Sequence, residues 1–401
     1  MHLGPIFRSL LHNKTRFVLI TLEVALTLAI CVNCVALIGD LRDTIEAPSG
    51  YAEEELVVVT VRPFEADYFN DDELAKVTRI EDRRVISELD GVDGVIGITS
   101  IPLSGGGSST GRRALGAEVN HGMPYFVVSE DAIETLGIEL ASGRSFNDED
   151  FDRDWDNMPV ILSQELADVY YPDGDALGKM ITDGSEETQN QIVGIASHLS
   201  SAWPTSDWGR FAALIPGDPD SGDFYRMMVR AETDRRDALV AGIEEALIAH
   251  DPGRIVEVET LADIRDDTFY STMERKNTLV GVILLLVLVT AVGIVGLTAF
   301  SITQRTREIG TRRALGASRE AVLRHFLFEN WLVTTIGLAI GIGLAYGLNW
   351  ALFTLSNDAA RLQPIMLIVG VIALWLTGLG AALGPALRGT RVPPVVATRA
   401  T

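Results

Sequence analysis

Residues 279–302 form a 24-residue stretch without a single Asp, Glu, Lys or Arg. A bilayer hydrocarbon core of about 30 Å takes roughly 20 apolar helical residues to cross. Three further segments meet the same test: residues 17–40, interrupted by Glu23 and Asn33; residues 326–355, with Glu329 in the first turn; and residues 365–387. In lipid every backbone N–H and C=O has to be paired within its own segment, so the four runs read as transmembrane helices. The third is long enough to tilt or to continue into water. A cleaved signal peptide is the alternative for the first run, because Arg8, Lys14 and Arg16 precede it. Its apolar stretch exceeds an ordinary signal core, however, and no A-x-A site follows Ile38.

The charge is divided just as sharply. The 401 residues carry 33 Lys plus Arg against 55 Asp plus Glu, a net charge of −22. Residues 41–276 alone hold 20 basic and 49 acidic side chains, while the other 165 residues are net positive by seven. The chain therefore reads as a membrane protein with one large acidic aqueous domain inserted between its first and second helices. Nucleic-acid binding through a basic surface is excluded. A disulfide-stapled domain is excluded too, since both cysteines, Cys31 and Cys34, lie in the first apolar run.

Lys and Arg in the short flanks set orientation. Three precede the first run, six Arg fall in residues 304–325, and three follow Leu387, against Arg361 alone in the turn 356–364. Both termini and the arginine-rich segment are expected in the cytoplasm, and residues 41–276 outside it.

The outer domain alternates strand and helix signals, so an α+β fold is expected there. Strands are read at 56–61, 95–101, 159–162, 191–196, 211–215 and 224–229, with helices at 71–89, 164–171 (capped by Ser163) and 234–250. The run Ser104-Gly-Gly-Gly-Ser-Ser reads as a flexible internal loop.

Catalytic signals are weak throughout. Gly174 and Gly178 enclose three residues where a Walker loop has four, and Lys179 is followed by Met180 in place of Ser or Thr. His121, His198 and His250 show no paired zinc spacing, and there is no G-x-S-x-G elbow. The acidic run with Asp148, Glu149, Asp150, Asp152, Asp154 and Asp156 reads as a solvated loop more readily than as a weak calcium site. No catalytic residue and no metal site is assigned, and the chain is not expected to be an enzyme.

Residues 304–330 read QRTREIGTRRALGASREAVLRHFLFEN. The composition predicts helix, tight turn, helix, with Gly316 just past the first helix and Ser318 capping the second. Such a protrusion suits mechanical coupling, because a packed helix carries displacement into the bilayer. The plainer reading is that its arginines only anchor the ends of two spans.

The sequence Arg305, Arg307, Glu308, Ile309, Gly310, Arg312, Arg313, Ala314, Leu315, Gly316, Ala317 and Ser318 resembles the signature of the permease family that includes MacB and FtsX. The outer domain is similar to the MacB-type periplasmic core at Thr135-Leu-Gly-Ile-Glu-Leu-Ala-Ser-Gly-Arg-Ser-Phe. It is similar again at Val160-Ile-Leu-Ser-Gln with Tyr171-Pro-Asp, Ala176-Leu-Gly-Lys and Ile192-Val-Gly-Ile. Residues 1–16 fit a membrane-surface helix that precedes the first span in such permeases.

The resemblance implies a dimeric four-span permease in the cell inner membrane, with the large domain in the periplasm. A cytoplasmic ATPase would hold ATP and Mg and drive it, with no cofactor in this chain. MacB carries that ATPase fused, whereas here 16 residues precede the first span, so the ATPase is expected on a separate subunit. Residues Glu308 to Ala317 are the expected docking surface. A periplasmic adaptor leading to an outer-membrane duct is the further expected partner, beside membrane lipid and a second permease copy or a paralogous permease. Efflux from the periplasm is the main reading. FtsX-like signalling to a cell-wall hydrolase and lipoprotein release from the inner membrane are the alternatives.

Within the spans, Glu23 costs roughly 3 kcal/mol at a bilayer centre. It either meets a partner helix across the dimer or reaches back to the cytoplasmic surface. Glu329, at the boundary, is expected to reach the surface. Cys31 and Cys34 read as small helix-packing residues. Gly337, Gly341, Gly343, Gly347, Gly380 and Gly384 have small-xxx-small spacing and are expected to pack helices closely, within the subunit or across the dimer.

Overall fold

The computed structural model describes residues 14–64, 68, 71–185, 188–219, 222–232, 234–356 and 362–390. The expected surface helix lies almost wholly outside the described residues, as do Arg361 and the tail from 391. The chain forms two compact units, one of residues 1–43 with 273–401 and one of residues 44–272.

Helix α1 (Lys14–Ile45) opens the first unit. The second unit, the inserted domain, then runs β1 (Leu56–Pro63), α2 (Asp72–Ser87), β2 (Val92–Ile98), β3 (Ser108–Ala114), β4 (His121–Val128), α3 (Ala132–Leu136), β5 (Leu140–Gly143), α4 (Asp148–Phe151), β6 (Val160–Ser163), α5 (Gln164–Tyr170), β7 (Met180–Thr182), β8 (Asn190–Ala196), β9 (Ala213–Pro216), β10 (Tyr225–Ala231), α6 (Arg236–His250) and β11 (Arg254–Thr260).

The strands make two lobes. In the first, an antiparallel leaf in the order β11-β1-β10-β2 is packed by α2 and α6. Residues Leu56 to Val61 of β1 are all buried because both faces of the leaf are covered. Val57, Val59 and Val61 enter one core with Ile243 and Leu247 of α6, while Leu56 and Val58 enter another with Phe126 and Leu136. That two-sided burial explains the uninterrupted β-branched run. The second lobe closes on itself, since β4 pairs with β3, then β7, β8, β6 and β9 follow, and β9 returns to β4. A single register pair, Ile98↔Val128, joins β2 of the first lobe to β4 of the second.

Local chemistry sets the boundaries. The Asp71 carboxylate accepts from the N–H groups of Glu73 and Leu74, both at 3.1 Å, and starts α2. Ser163 Oγ accepts from Leu166 N at 3.3 Å and starts α5. In the acidic run, Asp150 is consumed locally: it pairs with Arg144 at 2.6 Å and forms a capping box with Asn147. Strand β2 lies three residues earlier than the pattern predicts. Strands β3, β4, β5, β7 and β11 were not predicted, because a strand such as Ser108-Ser-Thr-Gly-Arg-Arg-Ala has no apolar alternation.

Among the described residues four helices are long and apolar enough to cross a bilayer. They are α1, α7 (Leu261–Gln304), α9 (Arg319–Ser356) and α10 (Pro364–Gly389), with α8 (Thr306–Ala314) between the second and third. Helix α7 starts at Leu261, well before the predicted span, directly after β11. Helix α1 is the buried centre of the membrane unit. Its Ile20, Val24, Leu28 and Val32 share one core with Ile294, Leu338 and Leu374 from the other three long helices. The fold is thus four membrane helices with a large α+β extracytoplasmic domain between the first and second.

Candidate functional site

The arginine-rich connection builds its own shape. Helix α8 ends where Gly316 takes φ +100°, a backbone open to glycine at little cost. There Gly316 N donates to Arg313 O and Ala317 N to Arg312 O, both at 3.1 Å, the two bonds of a Schellman cap. Ser318 Oγ accepts from Ala321 N at 3.1 Å and starts α9 within two residues of that cap. The elbow is therefore fixed by backbone geometry, with no slack loop in it.

Its two sides differ. Ile309 is buried with Ile302, Val322, Phe326 and Ala386, which seats α8 on the ends of α7, α9 and α10. Gly310 is buried beside it, and Arg313 donates to Thr390 O at 2.9 Å. Arg307, Glu308, Arg312, Ala314 and Gly316 are exposed, and Leu315 at the tip is 83% exposed. Glu308 pairs with Arg312 at 2.6 Å one turn on. A cavity of about 240 Å³ opens between α8 and the first turns of α9, lined by Glu308, Arg312, Ala317, Arg324 and His325 among others.

Behind the elbow is a buried charge node. Glu329 is 1% exposed and lies between Arg16 Nη1 at 3.3 Å and Arg305 Nη1 at 3.2 Å. Arg16 also donates to Ser301 Oγ at 2.9 Å. The node thus ties the start of α1, the end of α7 and the first third of α9. This corrects the expectation that Glu329 reaches the membrane surface: two guanidiniums neutralise it in place. Arg305, a residue of the coupling signature that precedes the expected docking stretch Glu308 to Ala317, faces inward to this node.

The MacB-like periplasmic core domain family matches residues 17–246, more than half the chain, and the FtsX-like permease C-terminal family matches residues 280–394. The chain belongs to the MacB/FtsX-like permease family. It is 25% identical over 399 residues to the macrolide export ATP-binding/permease protein MacB of Neisseria meningitidis serogroup A, covering 97% of this chain and 59% of that protein. The chain therefore spans about three-fifths of the length of that relative. It is also 25% identical over 342 residues to the uncharacterized ABC transporter permease YknZ of Bacillus subtilis, covering 82% of this chain and 83% of YknZ. Among solved structures it is similar to the periplasmic region of MacB from Actinobacillus actinomycetemcomitans, at 15% identity and TM-score 0.36, covering 58% of this chain and 98% of that one.

In this permease the other intramembrane candidates separate into two groups. A Cβ on Gly337 would come within 3.0 Å of Thr21 O, and one on Gly341 within 2.9 Å of Ala25 O, so these two glycines let α9 lie against α1. Among the described residues Gly343, Gly347, Gly380 and Gly384 meet nothing within 4 Å and pack no helix of their own subunit. Two unpredicted glycines do so instead. Gly370 approaches Val32, and Gly378 approaches Thr334 while its carbonyl accepts from Asn330 Nδ2 at 2.9 Å. Glu23 is half-buried over a third, Gly293, where a Cβ would fall 2.3 Å from Glu23 Oε1. Its carboxylate thus rests on α7 of its own chain, one turn from the Thr27–Thr290 hydrogen bond of 2.7 Å. Cys31 and Cys34 are buried thiols in α1. A single sequence gives no signal for Gly293 or Arg16, because each has its partner in a distant helix.

Proposed function

We propose that this chain is the permease subunit of an ABC-type export system, passing ATP-driven motion from a separate cytoplasmic ATPase to its outer domain. The exposed face of the elbow, from Arg307 to Gly316, is the docking surface, and a dimer of ATPase subunits carries the ATP and Mg. The observation that carries this reading is the contrast across α8: an exposed Leu315 tip on a backbone-capped turn, over an inner face packed on three membrane helices. Force applied to such a tip moves the helices beneath it. Helix α7 is unbroken from Leu261 to Gln304, so it carries displacement along its axis toward β11. In this reading the protein lies in the inner membrane with both termini in the cytoplasm and the domain of residues 41–276 in the periplasm. A second permease copy or a paralogue, and an adaptor leading to an outer-membrane duct, complete the assembly, which drives efflux of substrate from the periplasm.

The test uses Leu315→Asp and Glu308→Lys in membranes holding the whole complex. Both variants should insert normally, lose co-purification with the ATPase, and lose ATP-dependent export from spheroplasts. Unchanged export would overturn the docking assignment. Retention of an ATPase with release of a wall hydrolase activity would favour FtsX-like signalling, and lipoproteins held at the inner membrane in a deletion strain would favour lipoprotein release.

A further inference from the structure

A cleft of about 860 Å³ opens in the inserted domain where the closed ring meets the leaf. That is within the range of small-molecule sites. Thr99 and Ile101 after β2, Tyr125 and Val127 of β4, and Phe224 and Arg226 at the start of β10 line it, with the Gly106–Gly107 run at its rim.

We propose that this cleft binds small anionic amphiphiles, a ring-bearing apolar body lying on Tyr125, Trp155 and Phe224 with its anionic group on Arg226. The proposal deepens, and rests on, the reading of the chain as an exporter that takes substrate outside the membrane.

Arg226 is the organising residue. Its Nη1 donates to Thr99 O at 2.8 Å, its guanidinium lies 4.3 Å from the Phe224 ring centre, and its buried Nε has no acceptor. Among the described residues no carboxylate lies within ion-pair distance of it, although the domain around it is strongly acidic. Among the described residues the one carboxylate lining the cleft, Asp218, is engaged by Arg79 at 2.6 Å. Burial and the neighbouring Arg62 both lower the Arg226 pKa, the mark of a cation short of counter-charge. The acidity of the rest of the domain does not outweigh this at contact, since charges more than about 8 Å away are largely screened at physiological ionic strength.

The apolar half of the site is equally specific. Tyr125 and Trp155 meet edge to face at 5.6 Å, and Phe224 supplies a third ring. A Cβ on Gly106 would meet nothing within 4 Å, so the rim stays open, whereas Gly217 lies so close to Val127 that any side chain would collide at 2.9 Å. Along this junction β2 is joined to β4 by the pair Ile98↔Val128, by Thr99 N donating to Val127 O at 3.1 Å and by Ser129 N donating to Gly97 O at 3.2 Å.

The test is calorimetric titration of the full chain in lipid nanodiscs with 2-naphthalenesulfonate, using uncharged 2-naphthol as the control and empty discs as the blank. Saturable sulfonate binding is expected. Arg226→Gln, which keeps a donor toward Thr99 O, should weaken it about tenfold, the order of one charge-assisted hydrogen bond, and leave naphthol binding unchanged. Trp155→Leu should weaken both ligands. No saturable binding above the blank, or equal sulfonate affinity in Arg226→Gln, would overturn the site. Unchanged naphthol binding in Arg226→Gln also reports that the variant is folded. The assay contains no ATPase, so its failure alone removes the cleft, while absence of ATP-dependent export from spheroplasts holding the unaltered complex removes the exporter reading and leaves the measured binding in place.

Discussion

Each unit of this permease buries a charge node, and the two nodes are built to opposite balance. In the inserted domain Asp82 accepts from the Tyr225 hydroxyl and from Arg254, and Arg254 turns its other nitrogen to Asp251 at 2.5 Å. Two acids serve one cation there, with burial and the Asp82 charge pushing the Tyr225 hydroxyl far above its ordinary pKa so that it remains a donor. In the membrane unit two cations, Arg16 and Arg305, serve one acid, Glu329. The surroundings differ as well. Around Asp82, aliphatic side chains from α2, α6 and the leaf already hold the elements together. Between membrane helices apolar contact offers little over contact with lipid tails, so polar nodes and close glycine contacts decide which helix meets which. The same chemistry refines a packed core in one unit and specifies the assembly in the other.

The sharpest way to break this comparison is to remove each central acid. Glu329→Gln leaves Arg16 and Arg305 without a counter-charge and should cost about 3–5 kcal/mol, the usual penalty for stranding a buried ion. Thermal unfolding in detergent would measure it. Asp82→Asn should cost less, at the lower end of that range of about 3–5 kcal/mol, because Arg254 keeps Asp251. Equal losses would mean that the surviving partner does not matter and that the two nodes are alike.

The glycines sharpen the contrast at smaller scale. Gly341→Ala places a Cβ 2.9 Å from Ala25 O and 3.1 Å from Leu28 Cβ, so α9 must move off α1. Overpacking of this kind costs about 1–3 kcal/mol. Gly343→Ala, two residues on, meets nothing within 4 Å and should leave the isolated subunit as stable as before. If it lowers the dimer fraction in crosslinking, the exposed glycine face is where a second copy packs.

Of the six glycines that the spacing marks, two, Gly337 and Gly341, pack against a helix of their own subunit. The i, i+4 pattern marks Gly337 with Gly341 as readily as Gly343 with Gly347, and it carries no information on which face of α9 meets α1. The elbow was more legible. Its cap and turn residues are consecutive in sequence, so Gly316 and Ser318 announce the Schellman turn and the next helix start. Arg305 carries no such local signal, because its partner, Glu329, lies 24 residues away on the next helix.

A pH effect comes next in size. Burial raises the Asp150 carboxyl, but Arg144 and the Asn147 N–H outweigh it and hold its pKa below the ordinary 3.8. A depressed acid stabilises the folded state above its unfolded pKa, and that contribution fades as pH falls through the folded value. The inserted domain should therefore lose stability below about pH 4, and Arg144→Gln should flatten that loss. Thermal melts between pH 3 and pH 6 would read it; an unchanged slope would mean the pair is dispensable. The smallest stability effect is expected at the elbow surface, where Glu308→Gln removes an exposed pair worth well under about 1 kcal/mol. Its melting point should be unaltered even as ATPase docking is lost.

The sequence by itself determined the four spans, their place around an acidic α+β domain, and the elbow. Each follows from runs and turns of neighbouring residues, whose signal is local. Tertiary structure alone decided that Glu329 is neutralised by Arg16 and Arg305, that Glu23 rests on Gly293, and that six strands close into a ring. It also decided that Arg226 shares one cleft with Tyr125, Trp155 and Phe224. Those arrangements join residues tens to hundreds of positions apart, and pairing energies between distant segments leave no periodic trace in a single chain.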